Sequence, residues 1–334
     1  MGNTPPVTVI MPILNEELHL VDSVHRILAQ EYAGELDVVL AVGPSKDRTR
    51  EVADELQRTS DRVTVVDNPT GRPPAGLNAA IAAARGEVIV RVDGHAMIPS
   101  DYVAIAVETL ERTGADNVGG IMAAEGVTDF GHAVARAMTS KFGVGGASFH
   151  VGGGEGPALT VYLGTFRRSA LDRVGGYDET MVRAQDWEMN LRIRETGGLI
   201  WFTPDMLVTY RPRATVGALA RQYHDYGRWR REVVRRHPDT LSLRYLAAPA
   251  AVAAIAVGLV LFVLGLVIGQ QWLMILGLIP PVGYVLANLL ASVISAVSAP
   301  RLRVRSALWL PIVYGTMHLT WGAGFLRGGA GRDS

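Results

Sequence analysis

The sequence predicts an α/β protein with a mostly parallel sheet, followed by C-terminal transmembrane α-helices. Three observations carry that prediction. Short apolar runs alternate with segments of helical spacing over the first hundred residues, as in sheets built with right-handed crossovers. From Tyr245 to Pro300 the chain contains no Asp, Glu, Lys or Arg, a stretch too long for one membrane crossing and suited to two. Charge is also divided unevenly. Residues 1–210 hold 18 basic against 28 acidic side chains, and residues 211–244 hold 9 against 3.

The elements follow in order. Val7–Met11 is an apolar run ending at Pro12, and Glu16–Gln30 places Leu20, Val24, Ile27 and Leu28 on one helical face. Asp37–Val42, Val63–Val66 and Glu87–Val92 read as the next three strands, separated by helices over Asp47–Arg58 and Ala75–Ala84. A further helix is expected over Asp101–Arg112. Gly143–Gly156 holds seven glycines in fourteen positions, which suits a mobile lid better than a core element. Neither a Walker lysine motif nor GxGxxG occurs, so P-loop and dinucleotide readings lack support.

A length of 334 residues points to two units. Three spans are expected, over Tyr245–Gly269, Trp272–Ser298 and Ser306–Leu326. Arginines precede the first span and separate the second from the third, at Arg301, Arg303 and Arg305, and both groups belong on the cytoplasmic side. The N-terminus lacks the basic and apolar regions of a secretory signal, so a cytoplasmic catalytic half on the plasma membrane is expected. The layout is then a soluble domain over 1–215, a basic interfacial collar over 216–244, a membrane domain over 245–326 and a tail over 327–334. The collar suits anionic headgroups or plain anchoring equally. Cysteine is absent, which excludes disulfides and thiolate chemistry.

Loops at the strand ends carry the candidate site residues. Pro12-Ile13-Leu14-Asn15-Glu16 follows the first strand, where Asn15 either caps the next helix or faces a ligand. Gly43-Pro44-Ser45-Lys46-Asp47 follows the second. Gly43 allows close backbone approach there, and Ser45 or Asp47 could cap. Asp93 enters a Gly turn after the fourth strand. A carboxylate there either holds a divalent cation at the carboxyl edge of the sheet or accepts turn hydrogen bonds. Gln185-Asp186-Trp187-Glu188 opens a helix through Arg194, so Asp186 is an N-cap or an available base.

These motifs also stand in order with Asp67-Asn68-Pro69, Gly76-Leu77-Asn78-Ala79-Ala80 and Arg91-Val92-Asp93-Gly94-His95. Tyr162-Leu163-Gly164-Thr165-Phe166-Arg167-Arg168, Val174-Gly175-Gly176-Tyr177-Asp178-Glu179 and Arg221-Gln222-Tyr223-His224-Asp225-Tyr226-Gly227 complete the set. Over about residues 7–230 the set resembles family-2 glycosyltransferases of the Rossmann-like GT-A fold, and within them the membrane-bound succinoglycan-type glucosyltransferases.

The resemblance implies inverting transfer of a hexose, glucose favoured, from a nucleotide diphosphate sugar, UDP-hexose favoured. The acceptor would be a polyprenyl-linked glycan in envelope or exopolysaccharide synthesis. Asp186 would be the general base, and Asp93 would hold Mg²⁺ or Mn²⁺. His95 stands where many relatives carry a second acid, and would ligate the metal or merely contact phosphate. Pro12, Asn15, Glu16, Gly43, Ser45 and Asp47 would surround the base and ribose. Arg72 and Asn78 would face the donor, though Arg72 could equally be solvated. Gly164, Thr165, Arg167, Gln185, Trp187, Tyr223 and Arg228 would form the acceptor end, with Glu188 as a supporting partner. The bilayer is an expected partner and nucleic acid is not; oligomeric state stays open. Two departures stand out: Val42 where relatives carry a base-contacting Asp, and Gln185 where a Glu is common. The alternatives are a polyprenyl-phosphate monoglycosyltransferase and a degenerate, non-catalytic membrane scaffold.

Overall fold

The computed structural model describes residues 4–94, 96–146 and 148–329. The alternating pattern becomes β1 (Val7–Ile13), α1 (Leu20–Leu28), β2 (Leu36–Val42), α2 (Thr49–Thr59), β3 (Val63–Asp67), α3 (Pro73–Ala83), β4 (Val88–Arg91), α4 (Tyr102–Thr113) and β5 (Asn117–Ala124). Next come α5 (Asp129–Met138), α6 (Lys141–Val144), α7 (Ser148–Val151), β6 (Gly156–Pro157), β7 (Tyr162–Arg167), α8 (Arg168–Val174), α9 (Gln185–Glu195) and β8 (Ile200–Tyr210). The remainder is helical: α10 (Val216–Arg236), α11 (Leu243–Ile268), α12 (Gln271–Val297), α13 (Val304–Ala307) and α14 (Leu310–Arg327).

The described strands form one sheet in the order β3-β2-β1-β4-β7-β5-β8-β6. β1, β2, β3 and β4 pair in parallel, while β7 runs antiparallel to both β4 and β5. The pleat sorts the core into two layers. Val7, Val9 and Met11 face Leu20, Val24, Leu56 and Tyr102 of α1, α2 and α4. Ile10, Val39 and Ile89 face Leu77, Leu171, Met189 and Ile193 of α3, α8 and α9. Apolar faces on both sides are what helix-covered parallel strands require.

The chain forms two compact units, which differ from the layout expected from sequence. One comprises residues 1–123 and 147–210, the other 124–146 and 211–334. The segment carrying α5 and α6 joins the helical unit because its contacts lie there. Phe130 meets Trp309 edge to face at 5.5 Å, Arg136 Nε donates to the Ser295 carbonyl at 3.0 Å, and Ser306 donates to Asp129 at 3.0 Å. Such long-range packing leaves no local signature.

Within the helical unit, α11 and α12 approach at Gly258, Gly265 and Gly277, where a Cβ would strike the facing helix, as helix pairs in lipid do. Among the described residues two helices, α11 and α12, are long and apolar enough to cross a membrane. α14, which covers the expected third span, does not meet that standard, and it packs Val313, Tyr314 and Met317 inward. The collar is also more than an interfacial strap, since α10 buries Leu219, Tyr223 and Trp229. The glycine-rich segment holds two single-turn helices, α6 and α7, with no buried residue in either.

Candidate active site

The parallel register sets Ile13 level with Val42, and Val42 level with Asp67. Val92 N donates to the Ile10 carbonyl at 3.1 Å, which carries Asp93 past β4 to the same carboxyl edge. Connections leave β1 toward β2 and arrive at β4 on its other side. Open α/β sheets bind ligands at such a reversal.

Two loops at that edge are laced together. Asn15 N donates to Ser45 Oγ (3.0 Å), Lys46 N to Asn15 Oδ1 (2.8 Å), Glu16 N to Thr49 Oγ1 (2.7 Å) and Glu17 N to Asp47 Oδ2 (3.3 Å). The Thr49 hydroxyl donates to Asp47 Oδ1 at 2.5 Å and, with further backbone donors, holds that carboxyl below its ordinary range. The side chains of Asn15, Ser45 and Asp47 are therefore committed to shaping the loops. Asn15 does not cap α1, whose N-cap is His19, and it adopts a left-handed φ of 56°. Gly43 suits this close approach, since a Cβ there would lie 3.0 Å from Leu14 Cδ1 and 3.2 Å from Gly71 Cα. Glu16 is directed to the edge: a Cβ on Gly94 would lie 2.9 Å from its Cγ, so its carboxylate rests over the Asp93-Gly94 turn. Ser23 Oγ anchors that turn by donating to the Gly94 carbonyl at 3.0 Å.

Arg91 lies at the centre of the edge, with only 6% of its side chain exposed. Its Nη2 and Nε donate to Asp93 Oδ1 at 3.0 and 3.2 Å, and its Nη1 donates to Asp186 Oδ1. One buried guanidinium thus joins the two carboxylates singled out from the sequence. Burial opposes its charge, yet Asp186 and Asp93 hold its pKa well above the ordinary value. Asp93 and Asp186 stay 30% and 31% exposed, enclosed by protein but open at the mouth. Burial raises the Asp186 carboxyl above its ordinary value, Arg91 opposes the rise, and Asp93 adds to it. The Tyr177 phenol, fully enclosed, is pushed up by burial and then by the Asp186 charge.

Asp186 is not the N-cap of α9. That position is Ala184, a non-glycine residue at φ 60° with no side-chain cap. Among the described residues Asn15, Leu163 and Ala184 are the non-glycine positions with positive φ. Asn15 lies in the loop after β1 and Ala184 closes the loop before α9, both at the candidate site, and backbone strain gathers at such places. The segment before α9 is held by two clamps. Asn78 donates to the Tyr177 carbonyl (2.9 Å) and Glu179 (3.0 Å) and accepts from Tyr177 N (2.8 Å). Glu188 pairs through both oxygens with Arg192, at 2.5 and 2.7 Å, and Arg192 also donates to the Val174 and Gly176 carbonyls. Asn78 thus spends its amide on this clamp rather than standing open to a donor, and Glu188 spends both oxygens on Arg192.

Gln185 and Trp187 flank Asp186 and are half-buried. Pro12 is half-buried, level with Ala41. Arg72 precedes α3, with no ion pair to its guanidinium among the described residues. Gly164 and Thr165 are buried inside the sheet. Arg167 corrects its expected place. It pairs with Val88 at the start of β4, away from the edge, and holds α4 through Glu111 (2.9 Å) and the Leu110 carbonyl (2.8 Å). Tyr223 and Arg228 belong to the helical unit, where Arg228 donates to the Gly328 and Gly329 carbonyls. His95 lies outside the described residues.

Sequence reasoning assigned no role to Arg91, Ser23 or Tyr177. The signal for Arg91 was a charge inside an apolar strand, two residues from Asp93 and so on the same face. A buried arginine needs a carboxylate partner. Among the described residues no three His, Asp or Glu side chains converge as a metal-ligand set. A hard cation shared with a diphosphate needs only one or two carboxylates. Asp93, with Arg91 on one oxygen and Glu16 over the same turn, fits that demand.

A mixed, mostly parallel sheet carrying a paired-carboxylate edge defines a nucleotide-sugar transferase of GT-A architecture. The chain belongs to glycosyl transferase family 2, whose model matches residues 8–175; its members are inverting nucleotide-sugar transferases. It is 32% identical to the succinoglycan biosynthesis protein ExoA of Rhizobium meliloti (strain 1021), covering 96% of this chain and 93% of that one. A dolichyl N-acetyl-alpha-D-glucosaminyl phosphate 3-beta-D-2,3-diacetamido-2,3-dideoxy-beta-D-glucuronosyltransferase of Methanococcus voltae is 24% identical, covering 69% and 74% of the two chains. Among solved structures, the mannosyltransferase PcManGT of Pyrobaculum calidifontis, in complex with GDP-Man and Mn²⁺, shares the fold. Its TM-score is 0.60 at 20% identity over 97% of this chain and 88% of that one.

Proposed function

We propose that the chain transfers a hexose, glucose favoured, from a nucleotide diphosphate sugar to a polyprenyl-linked glycan at the cytoplasmic face of the plasma membrane, in exopolysaccharide synthesis. The observation that carries this is the buried Arg91 fork joining Asp93 to Asp186 at the carboxyl edge of the sheet. Asp186 takes the proton of the acceptor hydroxyl as that oxygen attacks the anomeric carbon from the face opposite the diphosphate. The bond from that carbon to the diphosphate oxygen breaks, and its electron pair leaves with the nucleotide. Arg91 orients Asp186 and favours its ionised form. Asp93 would hold Mg²⁺ or Mn²⁺, which when bound would supply charge neutralisation for the departing diphosphate. No protonating acid is then needed, unlike in a glycosidase.

The names of the relatives support the finer reading. One serves succinoglycan synthesis, one acts on a dolichyl-linked sugar phosphate, and the solved neighbour binds Mn²⁺ beside GDP-Man. Two apolar helices, α11 and α12, support attachment to a bilayer. The full chain, purified in lipid with a polyprenyl diphosphate-linked sugar, is to be offered UDP-, GDP- and dTDP-hexoses with Mg²⁺, Mn²⁺ or EDTA. The expected result is metal-dependent use of one donor and a lipid diphosphate glycan longer by one sugar. A lipid monophosphate sugar would instead mark a carrier-charging enzyme. Silence with every donor would remove the reading.

A further inference from the structure

The last turns of α10 and the end of α14 enclose a cleft of about 490 Å³, lined by Arg231, Glu232, Arg235, Arg236 and Arg327 with the Gly328 and Gly329 backbone. Glycines bring the helices this close: a Cβ on Gly227 would strike the Trp321 backbone, and one on Gly324 the His224 backbone. One carboxylate lines the cleft beside four guanidinium groups. Glu232 accepts from Arg235 at 2.5 Å and from Arg236 at 2.7 Å. Those neighbours, Arg235 first, lower its carboxyl to about 2 despite burial. Arg231 and Arg327 have no carboxylate partner among the described residues. The lining therefore carries a surplus of three positive charges.

A second observation sets the level of this cleft. Tyr245, in the first turn of α11, stacks with Trp321 at 6.5 Å, and Trp321 stacks with Phe325 at 5.5 Å. Arg230 and Arg244 lie over the Tyr245 ring at 4.1 and 4.7 Å, and Arg231 lies over Phe325 at 5.4 Å. Layers of aromatic rings and arginines mark headgroup depth. This one stands where the charge-free stretch begins, and Arg327 follows Trp321 by only ~9 Å of helix.

We propose that this cleft binds a phosphate ester, with the anionic headgroup of a bilayer lipid as the source its level favours. Arg235 and Arg236, preset by Glu232, form one wall; Arg231 and Arg327 supply the uncommitted charge. Guanidinium forks match phosphate oxygens in pairs. The inference does not depend on the transfer reaction.

The test uses the purified full chain in detergent micelles. Retention of phosphatidylglycerol and phosphatidylcholine is counted by native mass spectrometry, and inorganic pyrophosphate is titrated calorimetrically. The wild type is expected to retain phosphatidylglycerol selectively. The double variant Arg231→Gln with Arg327→Gln should lose roughly 30-fold in affinity, the size expected for two arginines at headgroup level. The corresponding double Lys variant should restore most of it. Arg301→Gln with Arg303→Gln, which removes equal charge from another loop, should leave it unchanged. Pyrophosphate binding with the same variant profile, and no lipid selectivity, would assign the phosphate to a soluble source. Equal retention by wild type and the double Gln variant, or binding of neither ligand, overturns the proposal.

Discussion

Arg91 gives Asp186 a fixed neighbour of opposite charge, while burial raises the carboxyl above its ordinary value. As the proposed base, Asp186 would work ionised, so kcat should fall on the acid side at a higher pH than an ordinary carboxylate would give. In Arg91→Met the opposing charge is gone, and the acid limb should move up further, by about one unit or more. Arg91→Lys keeps the charge and loses the fork, so it should move the limb less while lowering kcat. Full pH–rate profiles check this, and identical limbs in all three proteins would separate Arg91 from the base. Asp186→Asn should cost about 10²–10⁴ in kcat with unchanged circular dichroism. Asp93 and Asp186 were legible because a carboxylate at a strand end or a helix start is conspicuous in sequence. Their link was not, because Arg91 and Asp186 are 95 residues apart. The lacing of Asn15, Ser45 and Asp47 was hidden for the same reason. Their residue types suit a ligand, a cap or a neighbouring loop alike.

Elements met their expected places wherever period and burial agreed. β1 to β4 and α2 to α4 lie close to the predicted spans because both strand faces and one helix face are apolar. α1 begins at Leu20, later than Glu16, because residues 15–17 spend their amides on the loop after β2. Two interfaces between elements can be tested directly. Asn78→Ala removes three hydrogen bonds that fasten the loop before α9 to α3, and should cost about 1–3 kcal/mol. It should also lower kcat by loosening the segment that delivers Asp186, while a denaturant midpoint unchanged from wild type would refute the clamp. Gly227→Ala places a methyl against the Trp321 carbonyl where α10 crosses α14. Overpacking against backbone should destabilise the helical unit by about 3 kcal/mol, visible as a lower Tm in detergent.

At the scale of the whole molecule, the proposed attachment and orientation rest on a charge-free stretch between two arginine-rich segments. α11 and α12 expose most of their apolar surface, which water would not support over such a length. Pro249, Pro280 and Pro281 sit inside these helices, a placement that lipid-embedded packing tolerates. The proposed orientation puts the arginines before α11 and those at Arg301, Arg303 and Arg305 on the cytoplasmic side. The turn at Gly269 and Gln270 then lies outside. Because the chain contains no cysteine, single reporters can be introduced without background. With a membrane-impermeant maleimide, Gln270→Cys should be labelled on intact cells and Arg303→Cys only after permeabilisation. Labelling of Arg303→Cys but not Gln270→Cys on intact cells would reverse the catalytic half to the outer face and remove its access to cytoplasmic nucleotide sugars. Protection of both would make α11 and α12 a hairpin that enters without crossing, leaving the positive-inside argument with no second side to act on.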